Sequence, residues 1–403
     1  MKDNQGQLSR RFRAYRPARW AWRVLRLLVG MALLANLLAN EKPLYAEIEG
    51  RHYFPAFRDY AVALGLGTFP GELARVDWRR LPPESTWRTP VPYGPTQLDL
   101  ANADYVGPFD AQAVAGWRYR HWLGTDILGR DVLAGLIHGT RTALLVSVGA
   151  LFLAALIGGL MGILAGYFGN HSVGVRWWLL PLGLLALFLV GFYAYYWPGA
   201  SGWRFAFVLA ALLGLFFLAK QLNRGGGGRR IFLPLDHLVM RLVELLTSIP
   251  TLLILLTLIA TLERTSTVSL MLIIGLLSWT SLARYLRAEL LRIRELPYIE
   301  AARALGYSHG RILWRHALPN ALTPLVITLA FGVAAAVLIE STLAFLGLGA
   351  VEGITWGAQL SAARDYFAAW WLAVFPGGMV FVTVVTFNLI GEGLTRALDA
   401  SFG

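Results

Sequence analysis

The chain has no cysteine and little charge: of its 403 residues only 15% are Asp, Glu, Lys or Arg, against about 25% in an ordinary soluble domain. Without a thiol there is no thiolate nucleophile, no thiolate metal site and no redox switch. So few charges cannot cover the two or three soluble domains that this length would otherwise form. A soluble enzyme, a disordered chain and a disulfide scaffold are therefore excluded. There is no G-x-x-x-x-G-K-[ST] phosphate loop, so ATP is not bound and cleaved by that route. There is no H-E-x-x-H, and the seven histidines (52, 121, 138, 171, 237, 309 and 316) fall in loops or at the ends of apolar runs. No catalytic residue and no metal site is expected. The clear runs hold no ionisable residue near their centres, where a proton- or ion-coupled carrier usually needs one. Nor do they hold the nucleophile and base of an intramembrane hydrolase.

Apolar surface is abundant. Hydrophobic residues make up 56% of the chain, with 15 Trp and 42 Gly, and mean hydropathy is +0.54. A bilayer crossing takes about 20 mostly apolar residues. Uncharged runs at 142–168, 177–197, 245–262, 265–283, 317–339 and 366–391 meet that need. Two shorter runs, 27–40 and 205–219, are flanked by Arg26, Arg204 and Lys220, whose stems can snorkel to an interface. The expectation is an all-α integral membrane protein of about eight transmembrane helices. The run at 27–40 reads as a retained anchor, because Ala39-Asn40-Glu41 offers no small-x-small cleavage site.

The net charge of +12 is concentrated in three stretches: residues 1–26 carry +7, residues 220–230 carry +4 and residues 284–315 carry +4. The segment 41–141 has eleven basic and twelve acidic residues. The positive-inside rule places the three basic stretches in the cytoplasm and 41–141 outside. Counting spans from an inside N-terminus returns the same sides, with both termini cytoplasmic. Membrane topology accounts for the charge, and no nucleic-acid partner is needed.

The organisation expected is a basic N-terminus (1–26), an anchor (27–40), a periplasmic segment (41–141), a core span (142–170), an inserted two-span hairpin with a Gly-rich linker (171–235, including Gly225–Gly228) and a helical remainder (236–403) with a cytoplasmic loop at 286–319. The periplasmic segment, with Leu81-Pro82-Pro83 and Thr89-Pro90-Val91-Pro92-Tyr93-Gly94-Pro95, reads as loop with short elements.

The loop beginning Leu296-Pro297-Tyr298-Ile299-Glu300-Ala301-Ala302-Arg303-Ala304-Leu305-Gly306-Tyr307-Ser308 is the most informative stretch. Pro297 suits a helix first turn and Glu300 its positive end. The alanines favour helix, and Gly306 is a natural stop. Ser308 can cap a second helix, 309–317, leading to Leu318-Pro319-Asn320. A basic interfacial loop and a docking surface both fit.

Here the sequence resembles the permeases of ABC importers. Glu300-Ala301-Ala302, three residues, Gly306, nine residues and then His316, two before Leu318-Pro319, is similar to their EAA loop, with His as in the dipeptide, oligopeptide and nickel branch. His121-Trp122-Leu123-Gly124-Thr125-Asp126-Ile127-Leu128-Gly129-Arg130-Asp131-Val132, then Gly139-Thr140-Arg141, resembles that branch's external motif. Glu340 to Gly349, Trp356-Gly357, Phe375-Pro376-Gly377 and Phe387 to Leu394 resemble its last two spans. Asn40-Glu41-Lys42-Pro43-Leu44 and Tyr53-Phe54-Pro55 are more like the microcin C or oligopeptide subgroup. The likeness covers 121–170 and 236–400. It departs from the family at 171–235, where about 65 residues with two extra spans interrupt a six-helix core. This hairpin reads as lipid-facing and peripheral.

The resemblance implies an ATP-driven importer subunit that forms a pathway for peptides. Its partners would be a second homologous permease, two ATPase subunits, a periplasmic substrate-binding protein and membrane lipid. The chain itself would bind no cofactor; ATP and Mg would sit on the partner ATPase. The helix at 298–305 would be the coupling helix, with Glu300, Ala301, Ala302, Arg303, Gly306, Leu318 and Pro319 as the ATPase-coupling residues. Glu300 would contact the ATPase or brace the loop; Arg303 would pair with an acidic ATPase surface or serve topology. Gly124, Asp126, Gly129, Arg130 and Asp131 would form an external turn and helix start, or touch the binding protein. Glu340 would be an interface-level carboxylate or line the pathway. Asn388 could line the pathway or hydrogen-bond between helices, and Gly158, Gly159 and Gly162 permit close helix packing. The alternative is a self-contained secondary carrier or channel.

Overall fold

The computed structural model describes residues 10–63, 85–170, 232–262, 265–351 and 353–398, with two short strands and a few isolated positions besides. Helix α1 (Arg16–Leu33) is followed by the single turn α2 (Ala35–Leu38). Strands β1 (Tyr45–Ile48), β2 (Arg51–Tyr53) and β3 (Thr86–Trp87) form a small antiparallel sheet in the order β2-β1-β3, with Ala46 opposite both Tyr53 and Thr86. Helix α3 (Pro55–Ala63) follows β2. After an irregular segment comes α4 (Val132–Ile163), prolonged by a π turn over Leu164–Phe168. Strands β4 (Gly174–Arg176) and β5 (Arg230–Phe232) pair antiparallel. Then come α5 (Leu235–Ser248), α6 (Thr251–Ala260), α7 (Thr267–Ile293), α8 (Pro297–Ala304), α9 (His309–Ile312) with a π turn over Leu313–Ala317, α10 (Leu318–Phe345), α11 (Trp356–Asp365) and α12 (Trp371–Leu398).

Among the described residues four helices are long and apolar enough to cross a membrane: Val132–Phe168, Thr267–Ile293, His309–Phe345 and Trp371–Leu398. They contain or largely cover the runs expected at 142–168, 265–283, 317–339 and 366–391. The run at 245–262 is not one straight helix. It is split between α5 and α6, which are bent by 80°. Ile249 is extended (φ −101°, ψ 134°) and Pro250 opens α6, because the proline ring excludes the α conformation from the residue before it. An apolar count registers composition and passes over this break. The run at 27–40 also differs, since α1 begins at Arg16 and stops at Leu33, before α2. The runs at 177–197 and 205–219 and the linker Gly225–Gly228 lie outside the described residues, apart from isolated positions. The β4–β5 pairing, with Gly174 opposite Phe232, brings the two ends of that insertion together.

Helices α4 and α7 form the closest pair. Gly158, Gly162 and Gly166 recur every four residues on α4 and its π turn. A Cβ at Gly158 would lie 2.7 Å from the Trp279 carbonyl oxygen, and one at Gly162 would lie 2.8 Å from the Leu286 Cβ. From the other side, a Cβ at Gly275 of α7 would lie 2.8 Å from the Ala150 carbonyl oxygen. Small residues let two backbones approach where lipid supplies no hydrophobic drive between helices. Gly159 points into open space. Helix α1 presents Ala18, Ala21, Leu28 and Ala32 as its buried stripe. It packs on α12, where a Cβ at Gly393 would lie 2.5 Å from that of Ala18.

This packing predicts opposite results at adjacent glycines. Gly158→Val overfills the α4–α7 contact and costs about 1–3 kcal/mol. Gly159→Val meets nothing and costs less than about 1 kcal/mol through helix propensity. Thermal unfolding of the purified chain in detergent measures both; equal losses of melting temperature would overturn the assignment of the packed face.

Candidate functional site

Helix α8 lies across the end of the bundle where α7 and α10 meet the π turn of α4. Pro297 occupies its first turn, Glu300 lies near the N-terminus and Arg303 in the last turn, each matched in sign to the helix dipole. The helix ends in a Schellman motif: Gly306 N–H donates to the Arg303 carbonyl (2.9 Å) and Tyr307 N–H to the Ala302 carbonyl (3.1 Å). Gly306 supplies the required φ of +75°. Ser308 then caps α9, accepting from the Arg311 N–H at 3.4 Å.

The inner face of α8 is buried. Ile299 and Ala302 join Leu286, Leu290 and Ile293 of α7, Ile312, Leu313 and Ala317 of the next turns, Leu318 and Ala321 of α10, and Tyr167. Polar ties reinforce this: Tyr167 Oη donates to the His309 carbonyl (2.9 Å), and Asn320 Nδ2 donates to Tyr298 Oη (3.1 Å) and to the His316 carbonyl (2.8 Å). The outer face is open. Glu300, Ala301, Arg303, Gly306 and Pro319 are exposed, and neither Glu300 nor Arg303 has an ion-pair partner among the described residues. Ala302 and Leu318 of the expected set are buried and belong to the inner face. Sequence reasoning missed the exposed apolar residues beside α8: Leu305 is 73% exposed and Trp314 69%. Large apolar side chains inside a basic loop were the available signal.

The motif at 121–132 forms a buried polar knot at the opposite end of α4. Asp131 is the α4 N-cap, accepting from the Ala134 N–H at 2.6 Å. Its other oxygen meets His121 Nδ1 at 2.8 Å, and His121 Nε2 meets Asp99 at 3.2 Å. Asp126 accepts from the N–H groups of Leu128 and Arg130, both at 2.9 Å, and from the Arg130 side chain at 2.6 Å. Gly124 and Gly129 take φ of +79° and +73°, and Trp371 Nε1 donates to the Thr125 carbonyl at 3.0 Å. These contacts make the motif a tight turn and a helix start. Asp126 and Asp131 are buried, while Gly124 packs against Trp371.

Two further expected residues lie apart from these sites. Glu340 is fully buried in α10, with one oxygen accepting from Ser341 Oγ at 3.3 Å and the other lacking a hydrogen-bond partner among the described residues. Residue position along a span gives depth but not the face, and α10 turns this side chain inward. Asn388 makes no hydrogen bond between helices among the described residues, because it lies on the exposed face of α12. The structure does not bring either residue to α8.

A family model for the "binding-protein-dependent transport system inner membrane component" matches residues 217–403. A protein of Brucella suis named a peptide permease is 31% identical over 315 residues, covering 77% of this chain and 79% of the relative. The dipeptide transport system permease protein DppC of Alkalihalophilus pseudofirmus is 27% identical, covering 74% and 78%. The inner membrane ABC transporter permease protein YejE of Escherichia coli is 27% identical over 403 residues, 98% of this chain and 96% of its own length, so the segment 171–235 falls within the span of that match. These likenesses set aside a self-contained carrier or channel. The chain belongs to the binding-protein-dependent transport system inner membrane components, as a multi-pass, non-catalytic permease subunit of an ABC importer.

Proposed function

We propose that the chain conducts peptides and that α8 couples it to a separate ATPase. The observation that carries this reading is the two-sidedness of α8: Ile299 and Ala302 are buried against α7 and α10, while Glu300, Ala301 and Arg303 face outward without partners among the described residues. A carboxylate bracing the loop would be engaged within it, so the open Glu300 favours contact with the ATPase. Closure of the ATPase would press on α8, and the buried inner face would pass that displacement to the membrane helices. ATP and Mg would be held by the ATPase. A second, similar permease, two ATPase subunits and an external binding protein would complete the assembly. The peptide cargo is inferred from the names of the relatives.

The coupling reading predicts selective failure. Gly306→Val forces a branched side chain into positive φ, a local cost of about 1–2 kcal/mol, and tilts α8 away from its seat. Glu300→Lys inverts the outward charge. Both variants should insert and assemble but lose peptide uptake, and ATP hydrolysis by the purified complex should no longer respond to loaded binding protein. Normal uptake by both variants at normal expression would reduce the loop to a topological anchor.

In this reading the N-terminus, Gly225–Gly228, Glu300 and the C-terminus are cytoplasmic and residue 90 is periplasmic, following the charge distribution. The absence of native cysteine makes single-cysteine labelling clean. A membrane-impermeant maleimide should reach Pro90→Cys in intact cells and Glu300→Cys only after lysis. Labelling of position 300 from outside would invert the topology.

A further inference from the structure

A cavity of about 1600 Å³ opens between the N-terminal helical residues, α1, α10 and α12, at the same end of the bundle as α8. Arg11, Arg13, Arg19, Arg23, Arg26 and Arg315 line it, and no acidic residue does. Arg19, Arg23 and Arg26 stand at i, i+4 and i+7, one face of α1, and Arg315 joins them from the far half of the sequence. Some arginines elsewhere pair with carboxylates: Arg287 of α7 with Asp236, Arg292 of α7 with Glu289, and Arg396 of α12 with Glu392. The six around the cavity have no such partner among the described residues. Its floor is apolar, formed by Val326, Leu329, Val333 and Phe387.

We propose that this cavity binds an anionic phospholipid of the inner leaflet, its phosphate among the arginines and an acyl chain along the floor. Like charges gathered around one cavity repel and call for an anion, and guanidinium forks match phosphate oxygens in pairs. A soluble anion would satisfy the rim and leave the apolar floor wet, whereas a phospholipid satisfies both. The cytoplasmic leaflet supplies anionic lipid, and basic clusters beside membrane helices attract it. The membrane is thus given a specific contact with the helix that closes on α12. The choice of leaflet rests on the cytoplasmic placement proposed above; binding itself does not.

The test uses the full chain in nanodiscs of equimolar phosphatidylglycerol and phosphatidylcholine, whose two faces are both open, so that an error of topology leaves the readout intact. Native mass spectrometry counts the lipid retained on release. The wild type should retain phosphatidylglycerol with about tenfold preference. Arg19→Gln/Arg23→Gln/Arg26→Gln should abolish that preference. Val326→Trp, which fills the floor at a half-exposed position and leaves every charge in place, should abolish it too. Arg10→Gln/Arg16→Gln, on the same stretch but outside the cavity, should keep it. The proposal fails if the wild type shows no preference, if the preference survives either cavity variant, or if excess inorganic phosphate displaces the lipid. It fails equally if assembly with a second permease expels the lipid, which would make the cavity a subunit interface.

Discussion

The close approach of α4 and α7 is the constraint on which the rest of the permease depends. In water, apolar side chains would hold two such helices together by leaving solvent; within a bilayer that drive is gone, and packing distance decides. Gly158, Gly162 and Gly166 remove side chains along one stripe of α4, and Gly275 does so from α7. The stripe runs the length of the contact and ends at the π turn, where a Cβ at Gly166 would lie 2.8 Å from the Arg287 carbonyl oxygen. Arg287 in turn holds Asp236 of α5 through two hydrogen bonds, one of 2.7 Å. The pair therefore sets where α5 and the seat of α8 lie.

Each end of α4 is anchored by a different chemistry. At the start, Asp131 divides its carboxylate between the helix N-terminus and His121, and Trp371 of α12 donates into the same turn. At the other end the helix passes through its π turn into the apolar cluster beneath α8. Trp356 adds to the hold on the start, with its indole N–H donating to the Leu136 carbonyl at 3.0 Å, little more than one turn into α4. In the knot the polar groups satisfy one another, whereas the apolar cluster excludes water beneath α8. In the coupling proposed above, a displacement of α8 would be received by α7, α10 and the end of α4 together.

What the sequence made legible was what short-range rules govern. Pro297, the alanines, Gly306 and Ser308 each act within one helical turn, and α8, its Schellman end and the cap of α9 follow from them. The same holds for Asp131 as a helix start, whereas the division by which Gly158 and Gly162 pack and Gly159 faces open space depends on where α7 lies. The bend at Pro250 was equally local, but a hydropathy run averages across it. Burial of Glu340 and exposure of Asn388 depend on which face of α10 and α12 meets a neighbour, a long-range property that position along a span does not encode. The cavity was illegible for the same reason: Arg19, Arg23, Arg26 and Arg315 read as inside-positive charge until the fold brings them around one opening.

The coupling role proposed for α8 needs stiffness toward the membrane and adaptability toward a partner, and the two faces of the helix differ in that sense, the inner buried and the outer exposed. Full burial of a side chain such as Ile299 is worth about 1.5–3 kcal/mol, and the ties from Tyr167 and Asn320 resist sliding of the helices on either side. Peeling the helix away would lose all of these at once, so a push on the outer face is relieved more cheaply by moving α7 and α10 than by deforming the loop. The outer face, in contrast, commits few of its groups internally. Glu300, Arg303, Leu305 and Trp314 stand exposed, and the reversal at Gly306 lets the chain turn back without covering them. In the proposed coupling, replacing the outer residues should therefore impair engagement of the ATPase, while replacing the inner ones should impair the passage of its motion into the membrane helices.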